Sequence, residues 1–369
     1  MHNWKALKKC PYAMALCKGV ATIGVGSAAA MGPRAERDPP SMSKFAGARI
    51  SRVNRSPLHT RRRMAKKLLL VDVDCGVDDA QALMMALAAP DVEIQGITCC
   101  FGNATIEHVC RNVLRVLQLC NRMEIPVFRG SSHSLLGEKN PVFSHFGDDG
   151  FGDVGDANSP GLEHLQKEDA VHALIRLINQ HQGQICVVAL GPLTNLALAA
   201  KLDPTLPKKI NKLYIMGGNL EGRGNKTVCA EFNFYLDPEA AYIVMNEFTC
   251  PTFIASLEFA REHSLTTEYL KNWVSQDTVK GNFMKKVTGS WPQKKVFVPY
   301  DSYAMAAAID ESIITEYIKC AVSVELHGGF TRGMLVLDTE DKWKKEHNTF
   351  LIKKCNLEKF KELLWSALL

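Results

Sequence analysis

No C-x-x-C pair and no zinc-like spacing occurs among the twelve cysteines of this 369-residue chain. A zinc finger or a thioredoxin-type redox centre is thereby excluded at the level of motif. Cys99, Cys100, Cys186 and Cys320 sit in apolar runs, which reads as buried, reduced thiols in a reducing compartment. An uninterrupted membrane-spanning run is also missing. The best candidate, residues 10–31, is broken by Lys18 and is rich in Gly and Ala. Acidic side chains are scarce in residues 1–63, which hold Glu36 and Asp38 against thirteen Lys/Arg. The overall net charge of +5 therefore misleads: residues 64–369 carry 31 basic and 37 acidic side chains. A mildly acidic body gives no reason to expect a nucleic-acid partner. No repeat or linker divides residues 64–369, which read as one large domain.

Residues 1–63 show no convincing periodicity and are expected to be a basic, disordered or targeting extension. Met64-Ala65-Lys66-Lys67 resembles a natural start just before the first strand. An Arg-rich, acid-poor segment also fits a mitochondrial transit peptide, and a weak apolar region before Ser27-Ala28-Ala29-Ala30 superficially fits a secretory signal. The expectation is a cytoplasmic protein, with a mitochondrial one as the alternative, and no membrane partner.

The rest of the chain is organised around residues 68–87. An apolar run, Leu68–Val71, leads into Asp72, Asp74, Asp78 and Asp79, four carboxylates in eight residues, and then into an apolar segment of helical character. This predicts a strand, a turn at Gly76 and a helix opening near Asp78. Strand ends and helix starts are where α/β folds place their chemistry. Carboxylates this close repel one another, and a divalent cation lets most of them stay ionised. Asp at a helix N-terminus for the dipole explains Asp78 and Asp79, but not Asp72 and Asp74. The same carboxylates raise the pKa of Cys75, which argues against a nucleophilic role.

Strands are predicted at Val92–Thr98, Ile125–Phe128, Gln184–Leu190, Lys212–Met216 and Pro251–Ser256. Helices are predicted at His108–Leu119, Asp169–Gln180, from 195 through Ala200, from Asp237-Pro238-Glu239 onward, and at Ser302–Ile309. Residues 130–160 form a Gly/Ser/Asp-rich loop long enough to be functional. Residues 264–290 are polar and helical. Ala321–His327 and Gly333–Asp338 read as paired strands, with a last helix near 357–368. Strands alternating with helices give a mostly parallel, open, Rossmann-like α/β sheet flanked by helices.

A DxD after a first strand also opens haloacid-dehalogenase-type phosphatases. Here Gly76-Val77 and two more acids follow, and no convincing later Lys and acidic pair complete that set. Asp72–Leu83 instead resembles the DxDxGxDDAxAL signature of the inosine–uridine-preferring nucleoside hydrolases. Ile97–Thr105 (ITCCFGNAT), Ala189–Ala197 (ALGPLTNLA), Met216–Gly218, Ala230–Ala241 (AEFNFYLDPEAA) and Val322–Asp338 are similar to later blocks of that family, so the match spans 66–338.

The resemblance implies a nucleoside hydrolase fold and a Ca²⁺ ion held by Asp74, Asp79, the Leu190 carbonyl and Asp301. Hard oxygen donors suit that ion. It implies an ion that also meets the ribose 2′- and 3′-hydroxyls and a water, with Asp74 as the general base that deprotonates the water for attack at C1′. Asp78 and Asn103 are implied ribose contacts. Asn225, Glu231 and Asn233 match residues on the 5′- and 3′-hydroxyl side, and Met216 lines the ribose floor. Read alone, Asn103 is a turn residue and Asn225 a loop tip. Alternation across Phe232 places Glu231 and Asn233 on one face.

Two departures stand at the base end. Tyr300 occupies the place of a histidine that often precedes the last metal Asp, and Phe146 that of the histidine in a loop His-Gly-x-x-Gly. Leaving-group protonation then falls to Tyr300, Asp148, Asp149, a residue within 264–295, or solvent. His145 is expected to point elsewhere, and Trp291 or Phe283 to be a candidate base stacker. Cys75 stands where Pro is common. The expected activity is Ca²⁺-dependent hydrolysis of ribonucleosides to ribose and free base, in purine or pyrimidine salvage. The alternative is a nucleoside- or ribose-binding homologue with little turnover. By analogy with the family, the protein is expected to be a homodimer or homotetramer.

Overall fold

The computed structural model describes residues 65–137, 145–156, 158–289, 296–346 and 348–369. Residues 1–64, and with them the expected extension, lie outside the described residues.

The opening strand is β1 (Lys67–Val73), followed at Gly76 by α1 (Val77–Ala88). Val77 to Ala86 is buried throughout, so α1 is a core helix and not an amphipathic surface one. The next elements are β2 (Val92–Cys99), α2 (Ile106–Leu119), β3 (Val127–Arg129), α3 (Ala170–Gln180), β4 (Cys186–Ala189), α4 (Thr194–Leu202) and β5 (Lys212–Met216). Then come α5 (Phe232–Leu236), α6 (Pro238–Glu247), β6 (Thr252–Ala255) and α7 (Leu257–Glu262). A two-stranded pair, β7 (Leu265–Thr266) and β8 (Val296–Phe297), brackets α8 (Thr267–Val274) and α9 (Val279–Thr288). The chain closes with α10 (Tyr300–Ile309), β9 (Ile314–Val324), β10 (Leu335–Asp338), β11 (Thr349–Cys355) and α11 (Leu357–Ser366).

Caps follow from sequence. Thr105, Asp169 and Ser256 each accept a backbone N–H at the start of α2, α3 and α7. Asp237 caps α6 with Pro238 at its first turn, as predicted.

Among the described residues the main sheet runs β10-β9-β11-β6-β5-β4-β1-β2-β3. The six strands β3-β2-β1-β4-β5-β6 are parallel, in the order of a dinucleotide-binding fold. Each face is covered. Leu69, Val71 and Val73 of β1 pack with α1, α2 and α10, and Leu70 packs with α3 and α4 on the other side. The mostly parallel α/β sheet read from sequence is what forms.

Two of the differences from expectation bear on the sheet and the site. β11 has no counterpart in the predicted set. Lys353 and Lys354 break its apolar pattern, yet it pairs parallel with β6 and antiparallel with β9, joining the predicted β9–β10 pair to the parallel sheet. Glu231 and Asn233 do not alternate along a strand: Glu231 caps α5, and Asn233 lies in that helix's first turn.

Candidate active site

β1 pairs with β2 on one side and β4 on the other, so the chain order reverses between β1 and β4. A crevice opens at the carboxyl ends of strands at such a point. The residues just past those ends are Asp74 and Leu190.

Asp72, still within β1, is fully buried and accepts from Thr98 Oγ1 at 2.5 Å and Asn195 Nδ2 at 2.8 Å. Burial pushes its pKa up to about 7 against those two bonds. Asn195 also donates to the Cys99 carbonyl and accepts from the Ser131 amide, so one side chain ties β1, β2 and the segment after β3. Asp72 therefore supports the loop. The Gly-Pro-Leu-Thr-Asn block is the sequence signal for Asn195.

Asp74 is buried, and its Oδ2 accepts from the Asn103 amide at 2.8 Å. Burial, then Asp79 and Asp78, raise its pKa well above the usual carboxylate range. Asp79 accepts from the Gly76 amide at 2.9 Å and from Asn103 Nδ2 at 3.4 Å. Burial lifts it to about 6, opposed by that amide and by a bond with Asp301. Asp78 is lifted to about 8 by burial and then by Asp79. Asp301, in the first turn of α10, is raised well above its ordinary value by burial and then by Asp78, Asp79 and Asp74. Burial and the same carboxylates push the Cys75 thiol well up, as the sequence predicted.

Asp78, Asp79 and Asp301 each place one carboxylate oxygen within 4.8 Å of the others. Asp74 Oδ1, Asp78 Oδ1 and Asp79 Oδ1 are buried without a hydrogen-bond partner. Orphaned, convergent, hard oxygens carry a large desolvation cost that a divalent cation removes. The donor set fits such an ion, and the compact trio contains Asp78 where the sequence reading placed Asp74.

Above these carboxylates lies a cavity of about 540 Å³ lined by Asp78, Asn103, Leu190, Met216, Asn225, Glu231, Asn233 and Asp301. Asn233 Nδ2 donates to the Leu190 carbonyl at 2.7 Å and to that of Met216 at 3.1 Å. Glu231 accepts from the amides of Gly218, Asn233 and Phe234, and burial lifts it to about 7. Asn225 is exposed at the rim.

A second cavity of about 740 Å³, with apolar walls at Leu270, Val274 and Phe297, adjoins the first. The two share Asp78, His145, Phe146, Arg261 and Tyr300. Phe146 and Tyr300 are thus brought to the site as predicted. His145 lines both cavities, contrary to the expectation that it points elsewhere; its ring meets that of Phe146 edge-on at 4.7 Å. Asp149 is engaged in its own turn, accepting from the amides of Phe151 and Asp153. Phe283 packs on Phe151 and lines neither cavity. Trp291 lies outside the described residues. Arg261 gave no sequence signal, since nothing local ties α7 to a site.

The model of the inosine-uridine preferring nucleoside hydrolase family matches residues 69–362. The chain is 31% identical over 313 residues to the inosine-uridine preferring nucleoside hydrolase of Crithidia fasciculata, covering 83% of this chain and 98% of that protein. Its counterpart from Leishmania major is 32% identical over 316 residues, with the same two coverages of 83% and 98%. Among solved structures, an inosine-guanosine nucleoside hydrolase superposes with a TM-score of 0.77 at 31% identity, covering 82% of this chain and 98% of that one. A purine-preferring ribonucleoside hydrolase from Gardnerella vaginalis does so with 0.76 at 28%, again covering 82% and 98%. With a strand-end acidic cluster beneath a polar cavity, and these matches along its length, the chain belongs to the inosine-uridine preferring nucleoside hydrolase family, enzymes that cleave the N-glycosidic bond of ribonucleosides.

Proposed function

We propose that the protein is a Ca²⁺-dependent ribonucleoside hydrolase in which Asp74 is the general base. The observation that carries this reading is the set of orphaned, buried carboxylate oxygens under the polar cavity. Asp74, Asp79, Asp301 and the Leu190 carbonyl are the proposed ligands. Bound Ca²⁺ supplies positive charge that lets the carboxylates ionise and polarises the oxygens around it. Asp74 is held by the Asn103 amide through Oδ2, which leaves Oδ1 to accept a proton from the attacking water. Asp78, Asn103, Asn225, Glu231 and Asn233 hold the ribose hydroxyls over Met216. Glu231 and Asn233 are rigid because every bond described above ties them to backbone, which favours one orientation of C1′. A cytoplasmic setting is part of this proposal, and the mostly buried free thiols among the described residues are compatible with any reducing compartment.

Phe146 and Tyr300, standing where imidazoles are usual, favour a second reading: a homologue that binds nucleosides with little turnover. The full chain, incubated with inosine, uridine and adenosine with Ca²⁺ or with chelator, separates the two by assay of free ribose. Ribose release that chelation stops and Ca²⁺ restores supports the enzyme. Calcium binding without release from any nucleoside overturns it.

A further inference from the structure

We infer that Arg261 is the group that stabilises the leaving base, acting as a permanent cation; this rests on the ribohydrolase reading above. The ribose-holding side chains Asn103, Glu231 and Asn233 line the smaller cavity alone, and the larger, apolar cavity lies beyond them. A base attached to a ribose in the first must project through the boundary shared with the second. Arg261 stands on that boundary, in the last turn of α7. Tyr300 lines the same boundary, and it directly precedes Asp301. The cation thus shares a cavity wall with the helix turn that carries a proposed metal ligand.

The chemistry asks for such a group. Water oxygen bonds to C1′, its proton passes to Asp74, and the C1′–N bond breaks with its electron pair going to the base nitrogen. The base departs bearing negative charge and takes a proton from solvent afterwards. A guanidinium holds its charge over the whole working pH range and offers only donors, in a fork that matches ring-carbonyl oxygens. Inosine and uridine present such oxygens, whereas the amino group of adenosine presents donors. His145 is the rival at this boundary.

The test compares uridine and inosine with 4-nitrophenyl β-ribofuranoside, whose phenolate leaves without help, using the full chain with Ca²⁺. Removal of one buried oxyanion donor typically costs about 10²–10³-fold; Arg261 is exposed, so Arg261→Met is expected to lower kcat/KM on both nucleosides by only about 10–100-fold. The nitrophenyl riboside should change by less than about threefold, since its leaving group needs no stabilisation. Arg261→Lys, which keeps the charge but loses the fork, should recover part of the loss. Equal losses on all substrates, no loss, or a selective loss seen with His145→Gln in place of Arg261→Met overturns the assignment. Wild-type protein that releases ribose from none of the three substrates overturns the ribohydrolase reading itself. Release from the nitrophenyl riboside keeps these two failures apart.

Discussion

At the scale of single residues, the site depends on missing atoms as much as on carboxylates. A Cβ on Gly102 would lie 2.0 Å from Asp74 Oδ2, and one on Gly191 would lie 2.9 Å from Asp74 Cβ. Both glycines let backbone close in on the proposed base. Gly102→Ala is therefore expected to cut ribose release by about 10²-fold or more, the cost of an ångström-scale misplacement, with an unchanged far-ultraviolet dichroism spectrum. Activity within a few-fold of wild type would show that the Asp74 position is not critical. Asp74→Asn should abolish turnover while ribose binding, measured by calorimetry with Ca²⁺ present, is largely kept. Calcium titrations also separate Asp74 from Asp78. Asp79→Asn and Asp301→Asn should weaken Ca²⁺ most, and equal weakening by Asp78→Asn but none by Asp74→Asn would replace Asp74 with Asp78 in the ligand set.

At the scale of elements, α2 clamps two loops together. Asn112 Nδ2 donates to the Cys75 carbonyl at 2.9 Å and to the Asp149 carbonyl at 2.8 Å, joining the acidic turn to the loop that carries His145 and Phe146. One turn on, Arg115 lies over the rings of Phe151, at 5.2 Å, and Phe283, at 5.6 Å, and donates to the Val154 carbonyl. A buried amide that satisfies two carbonyls is costly to lose: Asn112→Leu is expected to destabilise the protein by about 1–3 kcal/mol in urea titration. It should also raise KM for nucleosides more than it lowers kcat, because the clamp orders the base-end wall and not the base Asp74. An unchanged KM would show that the loop is held by Arg115 and Phe151 alone.

At the scale of the whole molecule, the acidic cluster links pH to stability and, on the proposed reading, both to calcium. Burial raises Asp72 to about 7, Asp78 to about 8, Asp79 to about 6 and Glu231 to about 7 in the folded chain. Their unfolded values are near 4, so the folded state binds more protons between about pH 4 and pH 8. Stability is then fully present below about pH 4 as far as these groups are concerned, and is lost as pH rises through the folded values. Under chelation, Tm should fall as pH is raised from 5 to 8. Added Ca²⁺ should raise Tm more at pH 8 than at pH 5, since it replaces protons the cluster has given up. Scanning calorimetry with an equal Ca²⁺ increment at both pH values would contradict this coupling.

The sequence by itself determined the local units: the apolar run into four aspartates, the Pro238 helix start, the alternation of strands with helices. Each is a short-range pattern in which periodicity, capping chemistry or charge crowding acts within one turn or one strand. The family resemblance added partners far apart in the chain, Asp301 and Asn233 among them, without their geometry. Tertiary structure alone decided that β11 enters the sheet between β6 and β9 in spite of its paired lysines. It alone turned Glu231 from a strand residue into a helix cap and set His145 and Arg261 in the wall shared by the two cavities. Those outcomes depend on which long-range surfaces meet, and no local spacing encodes that, because the free energy deciding them is burial shared between distant segments.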